Sequence, residues 1–169
     1  VGSSSIRLWT NLAQDFPKLP VVNRGFGGSQ IADAVNFADR IIIPYRPRQV
    51  LLYSGSNDIA AGKDPELVFG DFVAFVKKIN KALPDTEIAV ISVNPSKSRW
   101  KDDGKVRRLN ALTAEYCRAH RMTFINNYPL MLGADGLPNN DLFRADGLHM
   151  NPKGYAIWRQ AIEPHLKRG

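Results

Sequence analysis

The chain has 169 residues, 44% of them hydrophobic and 23% charged, which is ordinary for a globular protein and sufficient for one domain with a buried core. No apolar stretch approaches the roughly 18 residues that a membrane-spanning helix needs, so we expect no membrane partner. The net charge is +7, but the basic residues are scattered and form no nucleic-acid-binding motif, so we expect no nucleic-acid partner either.

Cysteine content and the first residue bear on the compartment. Cys117 is the single cysteine, so an intramolecular disulfide is excluded and the cysteine content does not indicate the cellular compartment. The protein is expected to be soluble. Because the sequence begins at Val1 rather than at an initiator methionine, removal of an upstream signal would be compatible with a secreted or periplasmic protein. The oligomeric state cannot be read from the sequence.

Short apolar runs alternate with amphipathic segments along the chain. A first strand is expected to end at Val1 and Gly2, with most of it preceding the first residue. Four further runs rich in Val, Ile, Phe or Leu predict buried strands: PVVN at 20–23, QVLLYSG at 49–55, EIAVISV at 87–93 and MTFINN at 122–127.

The segments between these runs have apolar residues at three- to four-residue spacing. This periodicity predicts helices over residues 6–16, 31–42, 64–83 and 106–120. Asn151 and Pro152 begin a fifth helix, and Pro164 is expected to end it.

The alternation of strands and helices predicts an α/β fold. We expect one domain over residues 1–169, with a central parallel sheet of about five strands and helices on both faces. In such open sheets, binding and catalytic sites form at the carboxyl ends of the strands. This rule selects the loops GSSS, NRGFGGSQ and SGSND, and the loop after the last strand.

The last of these loops contains DGLHMNPKGY at residues 146–155. Asp146 lies three residues before His149, so its carboxylate can accept a hydrogen bond from one imidazole nitrogen and leave the other nitrogen to act as a base. Taken alone, this spacing is more typical of an aspartate that caps a turn beside a histidine with no catalytic role.

Three other positions in these loops suit the same chemistry. Ser4 lies at a strand-to-helix turn, where a helix N-terminus favours negative charge. Gly28 lets a substrate approach its backbone N–H closely, and Asn57 has a side-chain amide of the kind that donates to an oxyanion. Each also has a local alternative as a cap or turn residue. With the Asp–His pair they form a complete set for acyl transfer.

The order of these motifs resembles the SGNH hydrolases, also called the GDSL esterase/lipase family. The four blocks of that family correspond to VGSSSIRLW, NRGFGGSQIAD, LYSGSNDIAAG and DGLHMNPKGYAIW, and the likeness extends over essentially the whole chain. The resemblance implies a flavodoxin-like three-layer α/β/α sandwich and ester hydrolysis that uses no metal and no other cofactor.

The resemblance also implies a role for each site residue. Ser4 corresponds to the nucleophile, His149 to the general base and Asp146 to its partner. The oxyanion hole would comprise the backbone N–H groups of Ser4 and Gly28 and the side-chain amide of Asn57.

One position departs from the pattern of that family. Ser3 stands where the family has the aspartate of its Gly-Asp-Ser motif, so the local hydrogen bonding of the turn is open. Ser4 is favoured over Ser3 and Ser5 as the nucleophile because it keeps the frame Val-Gly-x-Ser followed by the apolar Ile6 and Leu8.

Three other functions compete with a hydrolase. A phosphate- or flavin-binding protein would explain the serine-rich loop but would leave Asp146, His149 and Asn57 without a role. An acyltransferase that uses a sugar or alcohol acceptor shares the acyl-enzyme and is not distinguished by the sequence. A non-catalytic binding domain is expected to lack the nucleophile or the histidine, and both are present.

The expected substrate is a small molecule. The compact chain has no lid-like hydrophobic insertion, which favours esters with short acyl chains, for example acetylated carbohydrates, over long-chain triglycerides. The polar loop NPSKSRWKDDG at 94–104 contains Arg99 and Trp100, and it either lines the pocket or packs on the surface.

Overall fold

The computed structural model describes residues 1–167, and its centre is a parallel β-sheet. Within those residues the strands are β1 (Gln49–Leu52), β2 (Glu87–Ile91) and β3 (Thr123–Ile125), in the order β1-β2-β3. In the register of this sheet, Gln49 lies beside Glu87, and Ala89 lies beside Thr123. The predicted runs at 49–55, 87–93 and 122–127 therefore contain strands.

Gly2 extends the sheet beyond β1 as an isolated parallel bridge to both Gly25 and Tyr53. A Cβ at Gly2 would lie 1.9 Å from the carbonyl oxygen of Tyr53, and its φ of +148° favours glycine. The resulting spatial order of Gly25, Gly2, β1, β2 and β3 matches the strand order of flavodoxin-like folds, in which the first strand lies between the second and the third.

The segment at 20–23, predicted to be a strand, is not one. Val21 and Val22 line an apolar cavity of about 690 Å³ together with Val50 and Leu51 of β1. The N–H of Val21 donates to the carbonyl oxygen of Leu19 at 2.9 Å instead of to a neighbouring strand, so no ladder of strand hydrogen bonds forms here. The described residues therefore form three regular strands rather than about five.

Helices cover both faces of the sheet. In chain order they are α1 (Ser4–Arg7), α2 (Leu12–Asp15), α3 (Ile31–Ile41), α4 (Ser56–Ala60), α5 (Pro65–Ala82), α6 (Asp103–Ala119) and α7 (Pro152–Ile162). Short 3₁₀ helices lie at Ile43–Tyr45, Lys97–Asp102, Tyr128–Met131, Asn140–Leu142 and Glu163–His165. Helices α3, α5, α6 and α7 confirm four of the predicted helices. Pro164 lies in the 3₁₀ turn that follows α7.

The single helix predicted over 6–16 is instead the two short helices α1 and α2. The carbonyl oxygen of Ile6 accepts hydrogen bonds from the side chain of Asn23 (2.6 Å) and from the backbone N–H of Trp9 (3.0 Å). The N–H of Thr10 donates to Leu8 instead of to Ile6, so the ladder of i to i+4 bonds breaks there. A side chain distant in sequence thus ends α1.

Two hydrophobic cores separate the layers. On one face of the sheet, α3, α5 and α6 pack over Val50 and Leu52 of β1 and Ile88 and Val90 of β2, all of which are buried. On the other face, the buried Trp158 of α7 belongs to a cluster with α1 and the opposite sides of β2 and β3. The three-layer α/β/α architecture is therefore confirmed.

One further feature concerns the membrane. Over residues 1–167, none of the helices combines the length and the apolar character that crossing a membrane requires.

Two helical glycines allow a matched test of the packing of α7. A Cβ at Gly154 would lie 2.4 Å from the carbonyl oxygen of Leu142, whereas a Cβ at Gly70 in α5 meets nothing within 4 Å. We expect Gly70→Ala to raise the free energy of unfolding by about 0.5–1 kcal/mol, because alanine is the better helix former. Gly154→Ala should lower it by about 1–3 kcal/mol through overpacking.

Urea denaturation of both variants and the parent measures this difference. Equal effects of the two substitutions would show that α7 does not approach Leu142 as closely as described.

Candidate active site

The first serine of α1 meets the histidine of the C-terminal loop. The Oγ of Ser4 lies 2.9 Å from the Nε2 of His149, and 145 residues of chain separate the two. Ser4 is the first residue of α1, where backbone N–H groups have no partner within the helix. The structure thus brings together the hydroxyl of Ser4, the imidazole of His149 and the N-terminus of α1.

The three adjacent serines point to different partners. Ser3 is buried, and its backbone accepts hydrogen bonds from the first turn of α1 without a cap bond from its side chain. Ser5 is also buried, and its carbonyl oxygen accepts a hydrogen bond from Tyr155 at 2.7 Å. Of the three, only Ser4 has a hydrogen bond to His149.

Asp146 holds the imidazole from the other side. Its Oδ2 lies 2.6 Å from the Nδ1 of His149, and its Oδ1 accepts hydrogen bonds from the backbone N–H groups of Leu148 and His149. The hydrogen bond with the His149 side chain, assisted by these two backbone bonds, lowers the pKa of Asp146 to about 2. A carboxylate only accepts, so Nδ1 carries the hydrogen and Nε2 of a neutral ring is free to accept from Ser4.

The turn that holds this pair is closed by backbone contacts. The N–H of Arg144 donates to the carbonyl oxygen of His149 at 2.8 Å, and Phe143 pairs with Met150 in an antiparallel bridge. Gly147, within the turn, has a φ of +62°, which favours glycine. Asp146 therefore caps a turn and orients the histidine at the same time.

Gly28 and Asn57 lie in neighbouring loops that hydrogen bonds join. The Nδ2 of Asn57 donates to the carbonyl oxygen of Ser29 at 3.0 Å, and the Oγ of Ser29 donates to Phe26 at 2.8 Å. Gly28 has a φ of +75°, is exposed, and has open space where a Cβ would stand. One of the two amide hydrogens of Asn57 is used by Ser29, which leaves the other for a ligand.

Two contacts in this region were not predicted from the sequence. Asp58 is fully buried, accepts hydrogen bonds from the backbone N–H of Ile31 at 3.2 and 3.3 Å, and lies 3.6 Å from the Nζ of Lys63. Burial raises the pKa of Asp58. The Nη1 of Arg99 donates to the Oδ1 of Asn57 at 2.9 Å. The adjacency of Asp58 to Asn57 was a usable clue, whereas nothing near Arg99 in the sequence indicated its partner.

The structure also separates this region from the apolar cavity beside β1. That cavity is lined by none of the five predicted site residues. Across residues 1–167, no group of three or more His, Cys, Asp or Glu side chains is arranged to hold a metal ion.

Solved structures with the same fold are numerous. A GDSL-like lipase from Bacteroides thetaiotaomicron matches with a TM-score of 0.84 and 23% identity, covering 98% of this chain and 86% of the other. A member of the lipolytic protein G-D-S-L family from Veillonella parvula has a TM-score of 0.77 at 20% identity, over 99% and 96% of the two chains. A carbohydrate esterase family 3 protein from Talaromyces cellulolyticus has a TM-score of 0.71 at 21% identity, over 83% and 68%.

At these identities the structural likeness shows the fold. No curated protein matches the sequence. The profile of the GDSL-like lipase/acylhydrolase family matches residues 2–157, which is nearly the whole chain. This match agrees with the order of the four sequence blocks, and the chain belongs to the GDSL-like lipase/acylhydrolase family.

Proposed function

We propose that the protein is a serine esterase in which Ser4 is the nucleophile, His149 the general base and Asp146 the group that orients the base. The observation that carries this proposal is the continuous chain of contacts from Ser4 Oγ through both nitrogens of His149 to Asp146, at 2.9 and 2.6 Å. Membership of an acylhydrolase family supports hydrolysis of an acyl ester in general.

The proposed reaction begins when His149 Nε2 takes the proton of Ser4 and the Oγ attacks the carbonyl carbon of the ester. Asp146 stabilises the imidazolium that forms. His149 then returns the proton to the departing alcohol and leaves an acyl group on Ser4. A water molecule, deprotonated by His149, attacks this acyl-enzyme; the bond to the Ser4 Oγ breaks, His149 returns the proton to Ser4, and the acid is released.

The negative charge that develops on the carbonyl oxygen needs preorganised donors. We assign three of them: the backbone N–H of Ser4, the backbone N–H of Gly28 and the free amide hydrogen of Asn57. The contact between Asn57 and Ser29, which follows Gly28 directly, supports this grouping.

The substrates we propose are esters with short acyl chains, including acetylated carbohydrates. The side chains of His149 and Asp146 are 23% and 46% exposed, and Gly28 borders open space, so a bulky alcohol group has access from solvent. The similar structure of a carbohydrate esterase family 3 protein from Talaromyces cellulolyticus is compatible with such a substrate. Rates with p-nitrophenyl esters of increasing chain length, beside release of acetate from acetylated xylan, test the proposal.

The first prediction concerns the nucleophile. Ser4→Ala should lower kcat on p-nitrophenyl acetate by on the order of 10⁴-fold or more, because no other group replaces the attacking oxygen. Ser3→Ala and Ser5→Ala are matched controls and should keep much of the activity. Mass spectrometry after fluorophosphonate treatment should find the adduct on Ser4, and an adduct on Ser3 or Ser5 would contradict the assignment.

The second prediction concerns the oxyanion hole. Asn57→Ala should lower kcat by roughly 10²–10³-fold with little change in KM, because the oxyanion exists only after attack. Asn36→Ala, on the exposed side of α3, is the control and should leave both constants unchanged. A raised KM with an unchanged kcat would make Asn57 a binder of the ground state instead.

The third prediction concerns pH. Only the neutral imidazole can accept the proton of Ser4, so kcat/KM should rise with pH through one acidic limb and then level off. The hydrogen bond with His149 lowers the pKa of Asp146 to about 2, so its carboxylate is charged across a neutral assay range and the limb does not come from Asp146. Asp146→Asn should lower the plateau by roughly 10⁴-fold, since the amide can hold the wrong tautomer.

The pH profile of the parent and of His149→Ala checks this assignment. A parent rate that stays flat from about pH 5 to about pH 9, together with an active His149→Ala variant, would rule out histidine as the base.

A further inference from the structure

Arg99 contacts the side chain that we assign to the oxyanion hole. Its Nη1 donates to the Oδ1 of Asn57 at 2.9 Å and to the Oγ of Ser56 at 2.7 Å. A guanidinium Nη carries two hydrogens, so these two bonds use both of them. Arg99 is half-buried, and both of its acceptors are neutral oxygens of α4.

The contacts of Asn57 determine which end of its amide faces which neighbour. Arginine can only donate, so the atom that faces Arg99 must be the amide oxygen. The carbonyl oxygen of Ser29 can only accept, so the atom that faces Ser29, 3.0 Å away, must be the amide nitrogen. Both neighbours thus select the same orientation, in which the second N–H of Asn57 is available to a substrate.

The segment that carries Arg99 also contacts the loop of the proposed base. The backbone N–H of Ser98 donates to the carbonyl oxygen of Gly147 at 3.2 Å, between Asp146 and His149 in the sequence. The 3₁₀ helix Lys97–Asp102 therefore bridges the loop of the Asp–His pair and the loop of Asn57.

We propose that Arg99 is a positioning residue for the oxyanion hole: it holds the carboxamide of Asn57 with the NH₂ group toward the reacting carbonyl. The positively charged guanidinium of Arg99, bonded to the amide oxygen, also polarises the amide of Asn57 and makes its N–H a stronger donor. This inference rests on the proposed esterase function. Arg99 acts through Asn57 and does not touch the substrate itself.

If Arg99 acts through Asn57, the effects of substituting the two residues on kcat should not add. Arg99→Met should lower kcat on p-nitrophenyl acetate by roughly 10-fold with KM unchanged, less than Asn57→Ala does, because Ser29 still favours the correct orientation. In the Asn57→Ala background, Arg99→Met should lower kcat by less than about 2-fold, because the amide through which Arg99 acts is gone.

Two further variants sharpen the test. Arg99→Lys keeps the charge, but its shorter side chain lacks the planar guanidinium that fixes the direction of both hydrogen bonds, so its kcat should lie between those of the parent and Arg99→Met. Arg40→Met, at an exposed arginine near the end of α3, is the control and should leave kcat and KM unchanged. If Arg99→Met does not fold, the same comparison is made with Arg99→Lys in both backgrounds.

The outcomes separate this inference from the proposed function. A parent protein that neither hydrolyses the ester nor takes a fluorophosphonate on Ser4 would overturn both. An active parent labelled on Ser4 would leave the function standing, and three results would then overturn the role of Arg99 alone. The first is an equal loss of kcat on Arg99→Met in the parent and in the Asn57→Ala background. The second is a change confined to KM, and the third is an unchanged kcat in Arg99→Met.

Discussion

The backbone pairing of Gly2 between Gly25 and Tyr53 is the constraint on which the candidate site depends. Three segments of chain run parallel at this point and leave the sheet on the same side. Ser4 lies two residues beyond Gly2, Gly28 three beyond Gly25, and Asn57 four beyond Tyr53. Because these segments run parallel at hydrogen-bonding distance, the loops and helix starts that carry the three residues follow the same edge of the sheet.

This constraint also explains why glycine is needed at the central position. A Cβ at Gly2 would lie 1.9 Å from the Tyr53 carbonyl oxygen, and one at Gly25 would lie 2.3 Å from the backbone nitrogen of Arg7. Distances below 3 Å cannot be met without moving backbone, so any side chain there would push the segments apart. The distance between Ser4 and the neighbouring loops would then increase as well.

Beyond the sheet, polar contacts hold the loops in place. Asn57 and Asp58, adjacent in α4, accept or donate hydrogen bonds with Ser29 of the neighbouring loop and with Ile31, the first residue of α3, and Arg99 binds the amide oxygen of Asn57. Asp58 is fully buried, where an unpaired carboxylate would be costly, and the backbone N–H of Ile31 and the nearby Lys63 offset part of the lost hydration. The oxyanion donors we propose are thus held by groups that themselves have satisfied partners.

The sequence by itself determined the alternation of strands and helices, because apolar periodicity and caps such as Asn151 are local properties of the chain. It also singled out the five candidate residues by their motifs and by their positions after predicted strands. The frame of the first motif favoured Ser4 over Ser3 and Ser5, but only the tertiary structure gives the contact between Ser4 and His149, which spans 145 residues. The tertiary structure likewise decided the break in the helix predicted over 6–16, the missing strand at 20–23 and the partner of Arg99. Each depends on whether hydrogen bonds form between segments distant in sequence, and such contacts leave no periodic pattern in the chain.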